Sequence, residues 1–322
     1  RQPARRHTEP LNPDDYRTVF QHDRDRIIHC LAFKRLKEKT QVFAPERSDH
    51  LRNRLAHTME VTQLARTAAR ALRLNEDLTE AIALGHDLGH APFGHSGEAV
   101  IHRILTGKID GVGLETDTRD RTGGFKHNYQ SVRIADHLEN RYPEFHGLNL
   151  SDPVREGILK HTGTKGRLYN LFDYDGLFID EPASIPESAV VALTDEIAQQ
   201  CHDLEDGIRL KTARLSQLTD SRLMDVDMLR DILKRGDGYD VMNDLLRSLF
   251  KLFMDDLVAQ DLTRLPDGRF HMGFSDPVQA VFQDLRDFVY TRIIYSREVA
   301  RSDQVAETVI TGLFRAFYHN PM

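Results

Sequence analysis

An all-α fold is what this 322-residue sequence predicts, and three observations predict it. Apolar residues recur at helical spacing in almost every segment, alternating runs suited to strands are scarce, and segment starts carry helix-opening residues such as Asn75 and Asp152-Pro153. No window approaches 18 uninterrupted apolar residues, which excludes a membrane-spanning helix. Cys30 and Cys201 stand alone, too few for a disulfide framework or a cysteine zinc site. The net charge of −7 argues against non-specific coating of nucleic acid. Reduced cysteines and an N-terminus without a signal-peptide apolar run make the cytoplasm the expected compartment.

In chain order, residues 1–15 are basic and proline-containing and are expected to form a flexible tail. Amphipathic spacing then covers about 14–38. Leu51, Leu55, Val61, Leu64, Ala65, Ala68 and Leu72 mark a helix over about 49–74. Asn75 caps the next, with Glu76 and Asp77 favourably placed in its first turn, and that helix runs to about Asp87. Thr106–Lys126 holds five glycines among polar residues and reads as a long loop, followed by a helix over 127–141. Pro153 opens another helix. Gly163–Pro186 reads as a second long loop, of the kind that lines or covers a site. Val190, Leu193, Ile197, Cys201 and Leu204 then form one stripe of a helix over 187–206. The charged stretch Lys211–Asp240 reads as a hinge, and further amphipathic segments occupy about 238–262, 275–296 and 302–318. The expected division is therefore a body over 16–210 with a C-terminal helical region, 211–322, packed on it.

Histidine carries the chemistry: there are 16, against no tryptophan, and His86, His90, His95 and His102 fall within 17 residues. The run ALGHDLGHAPFGHSGE, residues 83–98, ends an apolar helix in His86-Asp87 and then bends through Gly89, Pro92 and Gly94. Solvated histidines at a helix end would need neither the apolar run nor the Gly-Pro-Gly constraint. A zinc-peptidase helix fits poorly, because Asp87 replaces the general-base Glu and Gly89 and Pro92 break the helix around His90. His86 and Asp87 together read instead as metal ligands, to be completed from other helices. His57, in RNRLAHTMEV, and Asp195, in VALTDEIAQQCHD, are ionisable groups inside otherwise apolar helices. Singly, His57 reads as a hydrogen-bonded core histidine and Asp195 as a cap or ion-pair partner. As a set they meet the demand.

His57, then His86-Asp87, then Asp195 resembles the H…HD…D signature of the HD superfamily. The surrounding text is narrower. DRDRIIHCLAFKRLKEKTQVF (23–43), RNRLAHTMEV (52–61), LNEDLTEAIALGHDLGHAPFGHSGE (74–98), FKHNYQSVRI (125–134), REGILKHTG (155–163) and TDEIAQQCHDLEDG (194–207) resemble the deoxyguanosinetriphosphate triphosphohydrolase-like family. So do the C-terminal FVYTRIIYSREVA and LFRAFYHNP, which extends the resemblance over nearly the whole chain.

The resemblance implies an HD-type helical fold and hydrolysis of a deoxynucleoside triphosphate to deoxynucleoside and inorganic triphosphate, by attack at the α-phosphorus. It implies one divalent cation, Mn, Fe, Co, Ni, Zn or Mg, held by His57, His86, Asp87 and Asp195. Two imidazoles and two carboxylates suit such ions better than Ca. His95 and Glu98 match the family's catalytic pair; three residues apart at a helix start, the carboxylate is expected to favour a protonated His95 that donates to the leaving oxygen. Arg54, His90 and His127 match phosphate-facing positions, Gln41 the deoxyribose-sensing amide and Asp203 a carboxylate near the 3′ hydroxyl. Lys160, His161 and Lys165 add positive charge near the second loop. Homo-oligomers, an allosteric nucleotide or single-stranded DNA, and a place in nucleotide-pool control or phage defence are further implications.

The chain departs from the pattern at Gln199, where family members carry a sugar-stacking Tyr, and at Asn53 and Ala56, where they often carry Thr and where packing changes are expected. Two rival readings stand beside the main one: an HD phosphohydrolase acting on another nucleotide, and a non-catalytic nucleotide sensor or single-stranded DNA binder. An intact His95 and Glu98 favour the enzyme, since a sensor needs no proton donor at a leaving group.

Overall fold

The computed structural model describes residues 3–9, 14–41, 51–109, 112–162, 185–260, 262–264 and 270–320. Its α-helices are α1 (Val19–His29), α2 (Leu31–Arg35), α3 (Arg54–Ala71), α4 (Glu76–Gly85), α5 (Gly94–Leu105), α6 (Thr116–Thr122), α7 (His127–Arg133), α8 (Asp152–Lys160), α9 (Pro186–Arg209), α10 (Asp227–Leu233), α11 (Tyr239–Ala259), α12 (Asp276–Phe288) and α13 (Arg297–His319). The chain is all-α as its periodicity predicts. Strand structure among the described residues is a single antiparallel pairing of Thr263–Arg264 with Phe270–His271. No helix among them is long and apolar enough to cross a membrane.

Caps set several boundaries. Thr18 and Gln21 form a reciprocal capping box at α1. Cys30 then adopts extended backbone, with its Sγ accepting from Phe33 N at 3.3 Å, so the amphipathic stretch expected over 14–38 is split. The helix expected from 49 starts at Arg54, because Asn53 Oδ1 accepts from Ala56 N at 2.8 Å. Asn53 is thus a cap and not a packing substitution. Asn75 caps α4 as its sequence predicts, accepting from Leu78 N at 3.0 Å.

α4 sits at the centre: Leu78, Thr79 and the run 81–85 are buried, while Glu76, Asp77 and Glu80 remain half-buried in its N-terminal half. It packs on α1, α3, α8 and α9. A Cβ built on Gly85 would stand 2.4 Å from Ile158 Cδ1, and one on Gly157 would stand 2.3 Å from Ile82 Cδ1. The two glycines therefore let α4 and α8 cross at close range, which brings His86 and His161, at their C-terminal ends, together.

Elsewhere the expectations need correction. The Thr106–Lys126 loop contains α6, closed by Gly123 at φ 65°. Lys211–Asp240 is no extended hinge, because short helices and α10 bury Leu215, Leu218, Leu223, Leu229 and Leu233. The charge that suggested a linker is the solvent face of a packed region. α11 lies on α9, and α13 lies across α5 through a Ser96–Asp303 hydrogen bond and an Arg103–Glu307 pair with contacts of 3.1 and 3.2 Å. Within the segment expected as a tail, Arg5 meets the buried Asp23 at 2.5 Å and His7 N donates to Asn149 Oδ1 at 2.9 Å. Residues 163–184 of the second expected loop, Lys165 included, lie outside the described residues.

Candidate active site

Three helices deliver one cluster. α3 supplies Arg54 and His57, the end of α4 supplies His86 and Asp87, and α9 supplies Asp195. His57 Nε2 lies 2.9 Å from Asp195 Oδ1, while His86 Nε2 lies 3.5 Å from Asp87 Oδ1 and 3.7 Å from Asp195 Oδ1. Ligand atoms of His57, His86 and Asp87 all fall within 4.8 Å of one another. His86 donates its Nδ1–H to Ala83 O at 2.6 Å, which leaves Nε2 a bare lone pair, buried and without a hydrogen-bond partner. An orphaned acceptor beside two ionised carboxylates fits a cation.

Both carboxylates are held well below the usual range. Burial opposes ionisation of Asp87, and Arg54, His86, His90 and His57 together outweigh it; at Asp195 burial is outweighed by His86 and His57. Arg54 Nη1 donates to Asp87 Oδ2 at 2.8 Å and its Nε faces Thr40 O at 3.3 Å, while Nη2 is buried and free of partners.

The turn after α4 builds a second cluster. Ser131 Oγ accepts from Gly89 N at 2.8 Å and donates to His86 O at 2.9 Å, clamping the bend. Phe93 and Gly94 then take left-handed φ of 63° and 60°, which reverses the chain and starts α5 at Gly94, with His95 in its first turn. A phenylalanine at that φ is strained by on the order of 1 kcal/mol. Gly94 is required for space as well, since a Cβ there would meet Gln41 O at 2.5 Å.

Around α5, His90 stacks on His127 at a centroid distance of 4.8 Å and meets His95 edge-on at 5.4 Å. Glu98 corrects the expectation for the catalytic pair: its Oε2 accepts from His127 Nδ1 at 2.7 Å and from His127 N at 3.2 Å, and no hydrogen bond joins it to His95. His95 instead receives Gln199 Nε2 on its own Nε2 at 3.2 Å. Desolvation by the surrounding chain, then the charges of Arg54 and His127, hold His95 down at about 4, against a smaller opposing pull from Glu98. Three residues of sequence separation put Glu98 on the α7 side of α5, a direction that spacing alone leaves open.

His161 donates Nδ1–H to Ile158 O at 2.7 Å, so its Nε2 faces His127 Nε2 at 3.4 Å as an acceptor. Both nitrogens of His127 therefore face acceptors. Lys160 is engaged by Glu156 at 3.0 Å. On α9, Asp203 is buried with Oδ1 unpartnered, and burial together with Asp206 pushes its carboxyl well above the usual range. Gln41 is likewise buried with Oε1 unpartnered. Among the described residues, every candidate site residue thus lies in or beside one region.

Sequence reasoning missed Lys39, Glu60 and His202. Lys39 is pushed down to about 8, chiefly by burial, with Asp87 opposing, and its Nζ lies 3.4 Å from Leu88 O. His202 was signalled by its place two turns after Asp195 on the same helix face. It touches His57, Nδ1 to Nδ1, at 3.3 Å.

Comparison with known proteins shows the family. A family model described as HD domain matches residues 54–199, and one described as phosphohydrolase-associated domain matches residues 272–322. A deoxyguanosinetriphosphate triphosphohydrolase-like protein of Bordetella pertussis is 38% identical over 99% of this chain and 83% of its own length. Proteins of that name from Geobacter sulfurreducens and Rhizobium meliloti are 38% and 37% identical, over 99% and 95% of this chain and 81% and 78% of theirs.

Proposed function

The chain belongs to the deoxyguanosinetriphosphate triphosphohydrolase-like family of HD phosphohydrolases, and from that premise we propose that it hydrolyses deoxynucleoside triphosphates to deoxynucleoside and inorganic triphosphate. One observation carries the reading: His86 Nε2, His90 Nε2, Arg54 Nη2, Gln41 Oε1 and Asp203 Oδ1 are all buried without partners around one centre. Unpaired buried polar atoms are costly, so such a concentration is what a site for a charged, oxygen-rich ligand requires.

His57, His86, Asp87 and Asp195 would hold one divalent ion of the Mn, Fe, Co, Ni, Zn or Mg group. Bound there, the ion would supply Lewis acidity at the α-phosphate and an acidified water. Arg54 bridges the two halves of the site: Nη1 neutralises Asp87 while the free Nη2 is available to a phosphate oxygen. His90, with Nε2 buried and unpartnered, would face the same oxygens, and His127, whose two ring nitrogens are held by Glu98 and His161, would reach them only by giving up His161.

His95 is the group placed to donate a proton to the departing 5′ oxygen. Beside Gln199 it is a neutral acceptor, and the negative charge of a bound triphosphate would favour its protonated form. Asp203, kept neutral by burial, can donate an O–H to the sugar, and Gln41 offers an amide to its edge. Gln199, which touches His95, takes the place where the family's Tyr would restrict a 2′ hydroxyl.

The test is product analysis with each dNTP and NTP, in Mn²⁺ or Mg²⁺, singly and mixed. Inorganic triphosphate plus nucleoside is the expected result. Pyrophosphate or orthophosphate release, or binding without turnover, would overturn it in favour of another HD chemistry or a sensor.

A further inference from the structure

A chain of close polar contacts leads from His57 into the packing of α3 against α9. His57 turns Nε2 toward Asp195, so its Nδ1 points back to His202 Nδ1 at 3.3 Å. His202 is fully buried, with no water-facing edge, and turns its Nε2 to the carboxylate of Glu60, one turn after His57 on α3. Arg52 Nε holds that carboxylate at 3.2 Å and Arg52 Nη1 is anchored in turn on Glu205 at 2.5 Å.

The carboxylate at the far end of this chain favours one arrangement of its protons. A carboxylate between Arg52 and an imidazole only accepts, so His202 carries its hydrogen on Nε2. His202 Nδ1 is then an acceptor, which favours the hydrogen of His57 on Nδ1. Asp195 Oδ1, at 2.9 Å, is a rival acceptor for a proton on His57 Nε2; a cation held by Asp195 would displace that proton, leaving the Nε2 lone pair toward the cluster and the His57 hydrogen on Nδ1, where His202 accepts it. His86 reaches the same tautomer by a shorter route, through Ala83 O. Ligating histidines ordinarily have a carboxylate or carbonyl behind them; here a second imidazole is inserted between ring and carboxylate.

We propose that His202 and Glu60 are positioning residues that fix the tautomer and ring orientation of His57, and through it the affinity of the site for a divalent metal. This rests on the metal-holding role given to His57 above.

The test titrates the metal-free full chain with Mn²⁺ alone, read by the free-ion paramagnetic resonance signal, with thermal melting as the check on folding. His202→Leu keeps the bulk and removes the acceptor, and should weaken Mn²⁺ binding by about 10- to 100-fold. His202→Asn places an amide oxygen near the Nδ1 position and should stay within about threefold of the parent. Glu60→Leu, at a half-buried position, should weaken binding by about tenfold. Parent affinity in His202→Leu or Glu60→Leu would overturn the proposal, and so would equal losses in His202→Leu and His202→Asn, since bulk and not the acceptor would then matter. His57→Ala separates the two readings. If it too retains Mn²⁺, the metal site itself is misassigned; if it alone loses the ion, only the roles of His202 and Glu60 fall.

Discussion

Arg54→Met isolates the cost of leaving Asp87 alone. The guanidinium and carboxylate are each about 3% exposed and meet at 2.8 Å, so neither is relieved by solvent. Removing one partner of such a pair strands a buried charge, at a cost of about 3–5 kcal/mol. For a chain of this size that is about 4–7 °C in melting temperature. The assay is thermal unfolding of metal-free protein. Two companion measurements make the cause specific. Asp87→Asn added to Arg54→Met removes the stranded charge and should recover stability relative to Arg54→Met alone. Mn²⁺ added to Arg54→Met should recover part of the loss, because a cation at the cluster neutralises Asp87 in place of the guanidinium. If metal-free Arg54→Met melts within about 2 °C of the parent, or if Asp87→Asn deepens the loss, the stranded-charge reasoning is wrong.

Three further outcomes are expected. His95→Ala should keep Mn²⁺ binding, since His95 touches none of the four candidate ligands, and lower kcat by about 100-fold or more; parent kcat would move the proton donor elsewhere. Gln199→Tyr should raise the dNTP-to-NTP ratio of kcat/KM by about tenfold, one steric contact of ~1.4 kcal/mol; an unchanged ratio in matched competition would show that position 199 does not face the sugar. Metal-free protein should lose stability between pH 7 and pH 5. Burial depresses His161 to about 3 and His202 to about 4 from the usual 6.5, so the unfolded chain takes up protons that the folded rings refuse. The stability these neutral rings allow is complete above pH 6.5 and is lost as pH falls toward 4 and 3, by about 1–2 kcal/mol per ring down to pH 5. A melting temperature flat across that window would refute the assignment.

The sequence by itself determined the all-helical architecture and the places where chemistry collects. Helical periodicity is local, so α4, α9 and α11 are readable from single stretches of chain, and the Asn75 cap from one residue. The ionisable groups His57, His86-Asp87 and Asp195 in largely apolar helices, and their resemblance to the H…HD…D signature, likewise marked a candidate ligand set. Direction is what the sequence left open. Glu98 stands three residues from His95 yet bonds His127, because the α7 ring lies on its side of α5. Lys211–Asp240 carries linker-like charge yet packs, because its sparse leucines share one buried face. His202 gains its contact with His57 only when α9 lies against α3, and Glu60 completes that contact from the opposite helix. Each of these depends on two helices meeting at a particular rotation about their axes. That rotation is set by long-range packing, such as the Gly85 and Gly157 crossing, which makes room where no neighbouring residue in sequence could reveal it.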